Sequence, residues 1–193
     1  MKKTLLALAV SVAGLAALPA ASHAADDNGG FFVNGAIGRS SLDKGPYNDN
    51  DTGYNVNIGY RWALNPNVAL GIEGGYTDLG NFAPRSSYAG FPKAEVSGWT
   101  LGVNGHFNLT PNWYLSARGG FFRGDIKGQY LVGTTPIYVD ETSNKYYAGA
   151  GFGYDFNNNL SVGVNYDYYK ADKNGLKANP DMISVSAEYR FGY

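Results

Sequence analysis

Apolar and polar positions alternate with a period of two along eight segments: Phe31–Arg39, Thr52–Trp62, Val68–Leu79, Glu95–Phe107, Trp113–Ile126, Lys145–Phe156, Leu160–Lys170 and Met182–Tyr193. Each is bounded by turn residues, the signature of half-buried strands. None keeps the three-and-four apolar spacing of an amphipathic helix. At about 9–14 residues they exceed the usual strand of about five or six and match the roughly 9–11 that a tilted strand needs to cross a bilayer. The second segment places Tyr54, Val56, Ile58, Tyr60 and Trp62 on one face and Asn55, Asn57, Gly59 and Arg61 on the other. The last places Ile183, Val185, Ala187, Tyr189, Phe191 and Tyr193 opposite Ser184, Ser186, Glu188 and Arg190.

Alternation alone leaves open which face is outside; a soluble lipocalin-like barrel would turn the apolar face inward. Three features put it outward. Aromatics gather at the segment ends, with Tyr60, Trp62, Phe107, Trp113, Phe156, Phe191 and Tyr193 at one end and Tyr54, Tyr76, Trp99, Tyr146 and Tyr168 at the other. Two girdles flanking an aliphatic band are what the two interfaces of a membrane select. The opposite face carries Glu73, Arg118 and Glu188 at mid-segment, where an Arg against lipid costs about 2–4 kcal/mol. Connections alternate in length: Ala63–Asn67, Asn108–Asn112 and Asn157–Asn159 are tight, whereas Ser40–Asp51, Gly80–Ala94, Lys127–Asn144 and Ala171–Asp181 are long and polar. Short periplasmic turns with long extracellular loops fit an outer-membrane barrel. The expected fold is all-β, an eight-stranded antiparallel up-and-down transmembrane β-barrel. Closure gives every backbone group in lipid an internal partner.

The N-terminus has a different pattern. Lys2 and Lys3 precede an apolar run from Leu5 to Leu18, and Ser22-His23-Ala24 fits a small-x-small cleavage site. Residues 1–24 are therefore expected to be a secretory signal peptide and 25–193 the barrel domain, exported to the Gram-negative outer membrane. The 27 Gly, 16 Tyr and 10 Phe suit β-structure with many turns. Zero Cys excludes disulfides, thiolate metal sites and cysteine nucleophiles. A net charge of −1 offers no basic stripe for nucleic acid.

An eight-stranded barrel is only wide enough inside for side chains to fill. The inward charges are expected to pair, since an unpaired buried ion costs several kcal/mol. The candidate lumen network is Glu73, Arg118, Glu188, Arg61, Arg190 and Asp155, with Arg118 pairing with Glu73, Glu188 or both. Gly149, Gly151 and Gly153 would leave room for its guanidinium, and Arg61, Arg190, Asp155 and His106 would form a layer nearer the periplasm. Such pairs serve either as a structural plug or as a gate that opens a narrow pore.

The final segment, MISVSAEYRFGY, and the strand–turn–strand reading of GWTLGVNGHFNLTPNWYLSARGGFF carry a family likeness. Over about residues 29–193 the chain resembles the OmpA-like transmembrane domain and the wider eight-stranded group that includes OmpX and Ail. The resemblance implies that Tyr189, Phe191 and Tyr193 form a C-terminal signal read by the barrel-assembly machinery. The usual ending is Tyr-Arg-Phe, whereas here Gly192 and Tyr193 follow. No stretch after Tyr193 corresponds to a peptidoglycan-binding domain, so that role is not implied.

The expected function is a structural or surface-interaction role with long displayed loops and no cofactor or metal. The alternative is a small low-conductance porin gated by lumen ion pairs. A lipid-modifying enzyme is disfavoured, because His106 is the one histidine after the leader and lies near the periplasmic end. Asp43, Asp49 and Asp51 could hold a divalent cation, but a solvated acidic loop is the commoner arrangement. Lys127–Asn144 carries Tyr130, Leu131, Val132, Ile137, Tyr138 and Val139 on two alternating arms, suited equally to an extracellular ligand by strand addition and to a rigid extension packed on neighbouring loops. Lys44, Arg85, Lys93, Lys170, Lys173 and Lys177 lie at or above the outer rim, where they either pair with lipopolysaccharide phosphates or stay solvated as ordinary loop cations.

Overall fold

The computed structural model describes residues 29–44, 47–83, 94–132, 135–173 and 176–191, with side chains described at 29–43, 49–83, 95–125, 142–170 and 179–191. The leader, Arg85, Lys93, Tyr193 and the side chains of Lys44, Lys173, Lys177 and the Lys127–Asp140 arms lie outside the described residues.

Eight long strands close a barrel: β1 (Gly30–Lys44), β2 (Tyr47–Asn65), β3 (Val68–Phe82), β4 (Ala94–Asn108), β5 (Trp113–Val132), β6 (Thr135–Asp155), β7 (Leu160–Tyr169) and β10 (Asp181–Phe191). A small hairpin, β8 (Ala171–Lys173) and β9 (Leu176–Ala178), separates the last two. Every strand pairs antiparallel with its chain neighbour, and β1 closes on β10 from Phe31↔Phe191 to Ser41↔Asp181. No edge in the barrel wall is left for lipid to meet.

The tight turns are made by their own side chains. Asn65 Oδ1 accepts the Asn67 N–H at 2.9 Å, Thr110 Oγ1 accepts the Trp113 N–H at 3.0 Å, and Asn157 Oδ1 accepts the Asn159 and Leu160 N–H groups at 2.9 and 2.8 Å. Short polar side chains that bond the backbone two or three residues on are the reason Asn and Thr mark these turns.

The exposure pattern inverts that of a soluble protein. Ile58, Leu101, Phe121, Val164 and Ile183 are 55–76% exposed, whereas Asn55, Glu73, Asp167, Glu188 and Arg190 are at most 6% exposed. Only a hydrocarbon surround makes this favourable, at about 25 cal/mol for each Å² of apolar surface removed from water. Outward aromatics form two belts: Phe31–Tyr60–Trp62 and Trp113–Tyr154–Phe156 at the turn end, and Tyr76–Trp99 and Tyr146–Tyr168 at the other.

The first long connection is a correction. Ser40–Asp51 is not a loop but the end of a hairpin whose ladder runs on to Lys44↔Tyr47. Polar composition marks this stretch as outside the membrane, but pairing of β1 with β2 does not stop where lipid ends. The third connection is likewise paired to Val132↔Thr135, giving β5 20 residues and β6 21.

Candidate functional site

The lumen is built in two layers by the inward positions. The outer half is apolar: Leu42, Leu79, Phe82, Val96, Phe122 and Met182 are all 0% exposed, closed over by Tyr147 and Tyr169. Phe122 meets Tyr169 edge-on at 5.1 Å, and Tyr169 stacks on Tyr147 at 6.1 Å. Seven of the eight wall strands contribute, so this layer locks the barrel's outer mouth to its own core.

The periplasmic half is polar and continuous. Arg61 binds Glu188 through two contacts, Nη1–Oε1 at 2.5 Å and Nη2–Oε2 at 2.9 Å. Its Nε donates to Asn104 Oδ1 at 2.6 Å, Asn104 Nδ2 donates to Glu73 Oε2 at 3.1 Å, and the Tyr147 hydroxyl donates to Glu73 Oε1 at 2.8 Å. One chain of hydrogen bonds thus spans the lumen from β10 to β6 through β2, β4 and β3. Phe32 lies under the Arg61 guanidinium, 4.1 Å from ring centre to Cζ. Arg190 stands 3.7 Å from Glu188 and 4.0 Å from Asp155. The cavity left among these groups is about 30 Å³, room for about one water.

The partner of Arg118 differs from the expectation. It binds Asp167, with Nε donating to Oδ1 at 2.7 Å and Nη2 to Oδ2, rather than Glu73 or Glu188. Register explains the choice. Arg118 of β5 and Asp167 of β7 both stand opposite Gly149 of β6. A β-carbon at Gly149 would lie 2.0 Å from Asp167 Oδ1, so the missing side chain is what lets the two charges meet across the intervening strand. The glycine stripe does open space, but for the carboxylate. Counting residues from strand ends ignores the stagger of a tilted barrel, which moves Glu188 beside Arg61 and away from Arg118. Arg61 accordingly leaves the lower layer. Asp167, Asn104 and Tyr147 belong to the network; each was visible as an inward position, and only cross-strand register joins them.

His106 Nε2 is 3.1 Å from Asp155 Oδ2, and its ring stacks on Tyr114 at 4.2 Å. The Ser161 hydroxyl donates to the other oxygen of Asp155. In hydrolytic triads the imidazole sits between hydroxyl and carboxylate; here the carboxylate sits between, so His106 takes no proton from Ser161. Asp49 and Asp51 are not left to a cation: Asp51 Oδ2 accepts the Asn81 N–H at 2.7 Å and Asp49 Oδ2 the Ala83 N–H at 2.7 Å. They tie the β1–β2 hairpin to the end of β3. Among the described residues no cluster of metal-ligating side chains occurs.

Known proteins share this architecture. Residues 10–191 match the family described as "Outer membrane protein beta-barrel domain". Outer membrane protein A of Serratia marcescens is 28% identical over 214 residues, covering 100% of this chain and 57% of that protein. The same protein of Yersinia pseudotuberculosis is 26% identical over 206 residues, covering 100% and 56%. The chain thus spans a little over half the length of these relatives. The crystal structure of Ail, the attachment invasion locus protein of Yersinia pestis, in complex with the heparin analogue sucrose octasulfate, superposes with a TM-score of 0.60 at 16% identity over 85% of this chain and 99% of Ail.

Proposed function

The chain belongs to the outer membrane β-barrel family and resides in the Gram-negative outer membrane, and from that premise we propose that it is a non-enzymatic surface-interaction protein whose barrel is a rigid base for extracellular hairpins. The observation that carries this reading is the paired length of β5 and β6, 20 and 21 residues. A crossing uses about 9–11, so roughly ten residues of each arm remain paired beyond the membrane. A paired arm loses little entropy on binding, which favours recognition. Its upper edges suit an extended ligand added as a strand. Residues 1–24 serve as the cleaved leader, and Tyr189, Phe191 and Tyr193 as the signal to the barrel-assembly machinery. Outer-leaflet lipopolysaccharide is the expected neighbour of the rim.

The Arg and Glu pairs favour a gated-pore reading in one respect, since paired charges can exchange partners. The apolar outer layer argues for a closed lumen, because a conducting path would have to open Phe122, Tyr147 and Tyr169 as well.

The test shortens the arm by joining Gly128 to Val139 through an Asn-Gly turn. Cells producing either form are allowed to adhere to heparin-coated and gelatin-coated surfaces. Adhesion above empty-vector cells on at least one surface, lost in the shortened form at equal amounts of folded protein, is expected. Wild-type adhesion no higher than vector on both surfaces overturns the recognition role. Planar-bilayer openings that disappear in Arg118→Ala would move the function to the pore.

A further inference from the structure

The outside of a closed eight-stranded wall is convex, and the side chains of this wall depart from that on the face of β2 to β5. There an apolar groove of about 660 Å³ opens toward the lipid. Trp62, Leu64 and Ile72 stand along one side, and Gly105, Ala117 and Gly119 leave the other side low. A β-carbon at Gly105 would lie 2.7 Å from Phe107 Cζ and 3.1 Å from Leu70 Cδ2, so these two side chains lie down over the glycine instead of standing out into lipid. The groove is preformed. Trp62 meets Tyr60 edge-on at 5.1 Å. Below the groove the β2–β3 and β4–β5 turns are joined by the Asn108 N–H, which donates to the Asn67 carbonyl at 2.8 Å.

Its depth is that of one leaflet. Gly119 lies six residues beyond Trp113. At about 3.3 Å per residue and a tilt of about 45°, it stands about 14 Å above the periplasmic girdle, just past the middle of the roughly 25 Å apolar band. Phe121, 76% exposed, stands two residues further out on β5, above the groove. At the lower end Trp62 and Leu64 bring the groove down to the girdle, so it is continuous with the interface where the headgroups of the periplasmic leaflet begin. The turns beneath, Ala63–Asn67 and Asn108–Asn112, contain no Asp, Glu, Lys or Arg, so a headgroup meets no charged side chain from them. With each methylene taken at about the 30 Å³ of a liquid water, a sixteen-carbon chain fills about 480 Å³, within the space available. A second barrel fits less well, because it brings a convex wall to a narrow groove.

We propose that this groove holds one acyl chain of a phospholipid in the periplasmic leaflet, as a fixed lipid of the barrel and not one of the exchanging shell. The chain passes from one hydrocarbon to another, so the gain comes from close packing against low backbone and not from leaving water. Preformed walls keep the cost of ordering small. Recognition is of the chain, its length matched to the groove, with the headgroup left at the girdle. The site depends on the membrane orientation and not on the recognition role of the hairpins, so its failure leaves the adhesion assay untouched.

The experiment titrates the full folded barrel in detergent micelles with dipalmitoyl phosphatidylethanolamine and reads bound mass by native mass spectrometry. The wild type is expected to retain one lipid. The dioctanoyl form is expected to bind at least about fivefold more weakly, since an eight-carbon chain leaves half of its contacts unmade. Ala117→Phe, which fills the low side, is expected to lose at least about tenfold in affinity, and Val103→Trp, also on the groove, to do the same. Ala187 on β10 stands four residues from Phe191, as Ala117 stands four from Trp113, but on the far side of the barrel. Ala187→Phe is therefore expected to change binding by less than about twofold. All variants are first shown to give the compact band of a folded barrel on unheated gels. No retained lipid, equal binding of the dioctanoyl form, undiminished binding by Ala117→Phe or Val103→Trp, or an equal loss in Ala187→Phe overturns the site. A lipid-free dimer that Ala117→Phe breaks would give the groove to a second copy and overturn it as well.

Discussion

Replacing Asp167 by Asn leaves the Arg118 guanidinium inside the wall without a counter-charge. Asp167 is 0% exposed and the Arg118 side chain 13%, so bulk water relieves little of the loss. Two charge-assisted hydrogen bonds are weakened together, each worth about 1.5–3 kcal/mol. Breaking one side of a buried pair typically costs about 3–5 kcal/mol, and the small opening to water at Arg118 places this case near 3 kcal/mol. Removing both charges in Arg118→Met, Asp167→Leu should recover most of that, because the desolvation cost of the pair disappears with it. The coupling energy of the double-mutant cycle is then about 2–3 kcal/mol. Urea unfolding in phospholipid vesicles, followed by tryptophan fluorescence and by the compact band on unheated gels, measures all four species. Arg118→Met coupled with Glu73→Gln should give a smaller value, since Glu73 is held by Asn104 and Tyr147. A cost below about 1 kcal/mol for Asp167→Asn, or stronger coupling of Arg118 to Glu73 than to Asp167, would refute the assigned pairing.

Gly149→Val should destabilise by about as much as losing the pair, about 3 kcal/mol, because the new β-carbon occupies the place of Asp167 Oδ1; an unchanged urea midpoint would contradict this. Phe122→Ala should cost about 3–5 kcal/mol by opening a cavity in the outer layer, measured in the same assay. Asp51→Ala should cost about 1–2 kcal/mol and speed proteolysis near Asn81, since an amide loses its acceptor. Added Ca²⁺ should leave the wild-type thermal midpoint unchanged, whereas a rise that depends on Asp49 and Asp51 would restore the cation reading. Leu101→Arg, outward at mid-strand and 65% exposed, should cost about 2–4 kcal/mol in vesicles.

The wall of this barrel was legible in the sequence because it rests on one local rule. Period-two alternation with aromatic ends located the eight long strands to within a few residues wherever lipid was the surround, as in β3, expected at Val68–Leu79 and observed at Val68–Phe82. The rule weakens outside the membrane, where the selection for apolar residues ends. There Ser40–Asp51 reads as a loop yet pairs as strand, its β1–β2 ladder running on to Lys44↔Tyr47, while beyond the last β2–β3 pair the carboxylates of Asp49 and Asp51 take up the Ala83 and Asn81 amides. The lumen was half legible. Alternation gave the inward positions, including Arg61, Glu188, Arg118 and Asp167, but partner choice depends on stagger between strands, a long-range quantity. The one local clue was Gly149, whose absent side chain marks a crossing of side chains from both neighbours. The apolar outer layer went unseen for a similar reason: Leu42, Phe82 and Met182 fall at or beyond the ends of the expected segments, where the choice between inward and outward faces was not drawn.

The central claim is the inversion: hydrocarbon meets the apolar face, and the polar face lines the barrel's interior. The chain contains zero Cys, so single cysteines can be placed along β3 from Leu70 to Thr77 and spin-labelled without background. Power-saturation measurements in lipid vesicles then compare collisions with oxygen, which concentrates in hydrocarbon, and with a water-soluble nickel chelate. Labels at Leu70, Ile72, Gly74 and Tyr76 should show high oxygen and low nickel accessibility, and those at Gly71, Glu73, Gly75 and Thr77 low accessibility to both. Loss of that two-residue alternation, or nickel access along the Leu70–Tyr76 face, would contradict the structure at its foundation.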